Sequence, residues 1–107
     1  MNSKPLLDVT DAELTLVKTI LERHVPGADV WAFGSRTTGQ ARKFSDLDLC
    51  IKADAPLGLD RASALAEAFA ESDLPWKVDI VDWATTSESF RKIIEQHCVL
   101  IAPTGMN

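Results

Sequence analysis

A chain of 107 residues with 46% hydrophobic and 25% charged residues has room for one small core and reads as a single globular domain over 1–107, neither disordered nor membrane-spanning. Its 11 Lys and Arg against 16 Asp and Glu leave a net charge of −5, which argues against a direct grip on nucleic acid, where affinity comes from neutralising phosphates. No apolar run approaches the roughly 20 residues of a membrane helix, and the opening MNSKPLLDVTDAEL lacks a basic stretch followed by a long apolar one, so a cytoplasmic location is expected.

Thr10 stands three residues before Glu13, a capping-box signature, and Leu14, Val17, Ile20 and Leu21 follow at helical spacing. A first helix is predicted from Asp11 to His24, ended by Pro26 and Gly27. Val30, Trp31, Ala32 and Phe33 form a short apolar run without a polar face, as a strand covered on both sides would, and it stops at Gly34. From Leu47 the pattern alternates, with Leu47, Leu49 and Ile51 on one face and Asp46, Asp48, Cys50 and Lys52 on the other. Pro56 and Gly58 mark a loop up to Leu59. Leu59, Ala62, Leu65, Ala66 and Phe69 then outline an amphipathic helix that ends near Asp73, before Pro75.

Trp76, Val78 and Ile80 alternate with Lys77, Asp79 and Val81, a third strand with Asp79 on its less apolar face. Phe90, Ile93, Ile94 and His97 outline a last helix, and Cys98 to Ala102 is a candidate edge strand. Helices that fall between strands give an α/β architecture, a small mixed sheet with helices packed on it. Strand directions stay open at this level. Cys50 and Cys98 lie in or beside apolar runs without CxxC spacing and read as reduced thiols. His24 and His97 continue apolar helical faces and read as partly buried packing residues, and Trp31, Trp76 and Phe33 as core. Trp83, just past the third strand, is expected to pack at the edge of the core.

The chemistry concentrates between Gly34 and Leu49. Asp46 and Asp48, two apart on a strand, point the same way and repel unless they share a hard cation. Mg²⁺ characteristically takes one or two carboxylates together with phosphate oxygens and water. Asp79 would complete the set from another strand. Asp82 has the opposite parity, on the face of Trp76, Val78 and Ile80, and Asp54 sits in a loop, so neither is preferred. Gly34 allows close approach of a ligand to the backbone, and Ser35 would open a short helix whose free amides receive phosphate. Arg36 and Arg42 are candidates to meet phosphate charge, and Lys77 shares the face of Asp79.

Gly34-Ser35, ten residues, then Asp46-x-Asp48, with Gly39, Arg42 and Ser45 between them, resembles the signature of nucleotidyltransferases of the DNA polymerase beta superfamily. The likeness covers roughly 30–81. It implies the polymerase beta-like nucleotidyltransferase fold, Asp46, Asp48 and Asp79 as catalytic residues holding two Mg²⁺, Asp79 as the group that draws a proton from the acceptor, and Gly34, Ser35, Arg36, Arg42 and Ser45 as nucleotide-binding. The short chain further resembles the minimal nucleotidyltransferase antitoxins paired with HEPN-family RNase toxins. That family implies transfer of AMP from ATP to a tyrosine hydroxyl of the toxin, within a hetero-complex. This chain contains no tyrosine, so such an acceptor lies on another molecule. Two other functions compete: a module that neutralises its partner by occlusion alone, and a nucleotidyltransferase acting on a small molecule or a nucleic-acid end.

Overall fold

Thr10 starts the first helix as its sequence requires: its hydroxyl accepts from the Glu13 amide at 3.0 Å, and the Glu13 carboxylate accepts from the Thr10 amide at 2.9 Å. In the computed structural model, which describes residues 7–103, this helix, α1, spans Asp11–His24 and buries Val17 and Leu21. It is followed by β1 (Asp29–Phe33), the single turn α2 (Ser35–Thr38), β2 (Leu47–Lys52), α3 (Gly58–Ala70), β3 (Val78–Asp82), a 3₁₀ turn (Trp83–Thr85), α4 (Glu88–Gln96) and β4 (Cys98–Ala102).

The four strands form one sheet in the order β3-β2-β1-β4. β1 runs antiparallel to β2 and β4, whereas β2 and β3 are parallel, a pairing that needs a crossover and finds it in α3. The expected mixed sheet is therefore present, with β4 at an edge. Leu47, Leu49 and Ile51 join Val30 and Ala32 on one face, where Val17 and Leu21 of α1 and Leu65 and Phe69 of α3 cover them. On the opposite face Phe33 and Cys50 meet Ile94 of α4. Period-two alternation thus sorts β2 into a thick core and a thinner one. Both cysteines are free thiols, and burial pushes Cys50 up to about 11, so it stays protonated.

Two element limits differ from expectation. β3 begins at Val78, where its pairing with Leu47, the first residue of β2, begins, and Trp76 just before it is buried beneath the Arg36 guanidinium, 4.6 Å from its ring centroid. α3 stops at Ala70, and the Ser72 hydroxyl donates to the Phe69 carbonyl at 2.6 Å. Among the described residues no helix is long and apolar enough to cross a membrane.

Candidate active site

The register places the acidic residues. Asp48 is the second residue of β2 and lies opposite Asp79 in the parallel pairing and opposite Phe33 in the antiparallel one. Both carboxylates belong to the α4 face of the sheet, as their parity predicts. Asp46 sits one residue before the ladder, its carboxyl within hydrogen-bonding reach of Asp79. This crowding is visible in the acidities. Burial first, then the charges of Asp79 and Asp46, pushes Asp48 up to about 6. Asp79 is also raised, by desolvation and by its hydrogen bond to and repulsion from Asp46, with Lys77 pulling the other way.

Gly34 ends β1 and precedes α2 with φ 86° and ψ −160°, a backbone that only glycine adopts without strain. A β-carbon there would also collide with Asp48 Oδ2 and stand 3.2 Å from its Cγ. The glycine is thus needed twice, once for its own conformation and once for the carboxylate packed against it. Ser35 opens α2, whose first amides lack intrahelical partners. The Thr37 amide and hydroxyl both donate to the Gly34 carbonyl, at 2.9 and 2.7 Å, and hold the turn closed. Gly34→Ala is expected to cost about 1–3 kcal/mol of stability, measurable as a lower midpoint in thermal or urea unfolding.

Arg36, expected to bind nucleotide, is given a different task by the structure. It is 6% exposed, its guanidinium stacks on Trp76, and its donors go to main-chain carbonyls: Nε to Ser45 at 3.0 Å, Nη1 to Asp8 at 2.8 Å, and Nη2 to Lys43 at 3.2 Å and Arg42 at 3.4 Å. Its own carbonyl accepts from the Asp8 amide at 2.8 Å. So fixed, it holds the loop that delivers Asp46, with its donors engaged by main-chain carbonyls instead of turned to a phosphate. Ser45 helps close the same loop, its hydroxyl accepting from the Arg42 amide at 2.8 Å and its amide donating to the Arg42 carbonyl at 3.1 Å. The Arg42 side chain is exposed.

Asp82 stays apart from the triad. Its two oxygens accept from the Leu57 amide at 2.9 Å and the Ala84 amide at 3.1 Å, tying the start of α3 to the 3₁₀ turn. Trp83 is flanked by Arg91, 4.7 Å from its ring centroid, and Lys52, 5.5 Å away. A cleft of about 680 Å³ runs from Gly34, Thr38, Asp48 and Asp79 to Phe90, Ile93 and His97. Those last three residues are absent from the site read in the sequence. Apolar helical spacing suggested packing, yet Ile93 is 57% exposed and His97 is exposed rather than partly buried.

Among the described residues no three His, Cys, Asp or Glu side chains form a ready-made metal cluster. Mg²⁺ keeps several waters and binds through one or two carboxylates plus phosphate, and the donors that come together here, Asp48 opposite Asp79 and Asp46 within hydrogen-bonding reach of Asp79, are of that kind. The upward shifts of the Asp48 and Asp79 carboxyls point the same way, since neighbouring carboxylates that repel one another are relieved by a hard divalent cation. Asp46, Asp48 and Asp79 therefore fit as its ligands.

Comparison with known proteins identifies a family. The nucleotidyltransferase domain family model matches residues 14–101. A Haemophilus influenzae protein, "Probable protein adenylyltransferase MntA", is 55% identical over 101 residues, covering 94% of this chain and 89% of its own. A solved structure of a toxin–antitoxin with AMP-PNP superimposes with a TM-score of 0.74 at 24% identity, covering 86% of this chain and 74% of that one. A tri-AMPylated Shewanella oneidensis HEPN toxin in complex with MNT antitoxin gives 0.65 at 19% identity, covering 87% and 71%. At such identities the solved structures speak for the fold alone.

Proposed function

This chain belongs to the nucleotidyltransferase domain family, and we propose that it is an antitoxin that transfers AMP from ATP to a tyrosine hydroxyl of a HEPN-family toxin in the cytoplasm. The observation that carries the reading is the packing of Asp48 against the bare Gly34, with Asp79 alongside on the next strand. A seat for phosphate and a set of acidic groups are thereby fused at one end of the sheet. The 55% identical relative carries the name of a protein adenylyltransferase, and neighbours in fold are toxin–antitoxin complexes, one holding a tri-AMPylated toxin. The absence of tyrosine here is compatible with an acceptor tyrosine on the partner.

In the proposed reaction Gly34 and Ser35 seat the β- and γ-phosphates through backbone amides and the serine hydroxyl. Asp46, Asp48 and Asp79 would hold Mg²⁺, which when bound offsets the charge of the phosphates and of the leaving pyrophosphate. Asp79, on the edge strand and exposed, takes the proton from the acceptor oxygen. A bond forms between that oxygen and the α-phosphorus as the bond to the bridging oxygen of pyrophosphate breaks. Asp82 stands outside this chemistry. Asp82→Asn is expected to lower stability by about 1 kcal/mol while leaving transfer within about twofold of wild type, and a loss as deep as that of Asp79→Asn would refute the assignment.

The reading is tested by incubating the protein with Mg²⁺, ATP and the product of any adjacent gene, then weighing both intact chains against an Asp46→Asn control. Added AMP on the toxin, absent with the control, is the expected result. A stable complex with no added mass would instead identify an antitoxin that acts by occlusion.

A further inference from the structure

The cleft beside the carboxylates has two unlike ends, and the proposed reaction uses only one. From α4 the side chains of Phe90 and Ile93 face the cleft, 36% and 57% exposed, while their neighbour Ile94 is buried against the sheet. Phe90 is steadied from below by Phe33, with ring centroids 5.8 Å apart and planes at 80°. Core packing accounts for Ile94 but leaves two large apolar side chains on a wall that, among the described residues, no other element covers.

Sheet order says what that wall faces. Gly34 and Ser35 follow β1, Asp48 lies on β2 and Asp79 on β3, and these strands are consecutive across the sheet. Attacking and leaving oxygens lie in line on opposite sides of the phosphorus being transferred. With pyrophosphate at Gly34–Ser35 and the acceptor at Asp79, the reaction axis runs across the strands. The nucleoside must leave that axis sideways, and on the α4 face it meets Phe90 and Ile93. We infer that Phe90 and Ile93 form the seat of the purine base of the nucleotide, the flat apolar end of a ligand whose polyanionic end lies at Gly34.

This inference rests on the nucleotidyltransferase reading, so its test separates the two. Dissociation constants for ATP and for inorganic tripolyphosphate, both with Mg²⁺, are measured by calorimetry on wild type, Phe90→Ala and the more exposed Ile93→Ala. Wild type should bind ATP more tightly than tripolyphosphate. Phe90→Ala should weaken ATP about tenfold, as expected when a base loses its aromatic platform, Ile93→Ala less, and neither should alter tripolyphosphate. Equal losses for both ligands in both variants overturn the inference, as does unchanged ATP affinity with impaired modification of the toxin, which would give the wall to the acceptor. In those cases the nucleotidyltransferase reading stands. A wild-type protein that binds neither ligand removes both.

Discussion

Asp48→Asn is expected to cut AMP transfer by on the order of 10³-fold and, in the same protein without metal, to raise the melting temperature. Burial, with Asp79 and Asp46 alongside, pushes the Asp48 carboxyl up to about 6 from an ordinary 3.8. Because the folded state holds this proton more tightly than the unfolded chain, an ionised Asp48 opposes folding. The penalty is full above pH 6 and fades as pH falls through 6 towards 3.8. Metal-free wild type should therefore gain stability from this group between pH 7 and pH 5, and the Asn variant should lack that gain. Discounted for the partial exposure of the group, the penalty is about 1 kcal/mol, or roughly 4–8 °C in a domain of this size.

Mg²⁺ should reverse the order. A cation bound between the carboxylates favours their ionised forms, so wild type gains stability on adding Mg²⁺ and Asp48→Asn gains little. Melting curves of both proteins at pH 5 and pH 7, in chelator and in Mg²⁺, give the four comparisons. An Asn variant that transfers AMP at the wild-type rate, or that melts below wild type in chelator at pH 7, would contradict the assignment.

Much of this site was legible because period-two arithmetic is strict. Asp48 and Asp79 share a face by parity, and Asp82, three positions on from Asp79, reaches the other side to Leu57. Thr10 and Glu13 set the start of α1 through local hydrogen bonds that need no tertiary partner. Strand direction was not legible, since a parallel β2–β3 pair depends on how α3 packs. The apolar spacing of α4 was read as an inward face, yet only Ile94 is buried, because the helix crosses a sheet face already filled by Phe33 and Cys50.

Arg36 shows the harder limit. A guanidinium directly after a Gly-Ser pair reads as a phosphate ligand, and the groups that engage it are main-chain carbonyls of Asp8, Arg42, Lys43 and Ser45, which leave no mark on residue identity. Its removal is expected to have a large effect. Arg36→Ala would leave four carbonyls without their donor and uncover Trp76, at a cost of about 3 kcal/mol or more.

The more informative variant is Arg36→Lys, which keeps the charge but loses the planar fork that reaches several carbonyls at once. A lysine satisfies at most part of the set, so the loop from Arg42 to Ser45 loosens while the Gly34 turn, held by Thr37, does not. Asp46, at the end of that loop, then loses its place beside Asp79. Misplacement by about 1 Å costs on the order of 10²-fold in rate, whereas affinity for the triphosphate, seated at Gly34 and Ser35, should change little. The expected outcome is a fall in kcat with KM for ATP nearly constant and a raised Mg²⁺ requirement, in a protein whose circular dichroism remains that of wild type. A rise in KM for ATP at constant kcat would return Arg36 to the role its sequence position suggested, a direct ligand of the phosphates, and the carbonyl contacts would then have to give way when nucleotide binds.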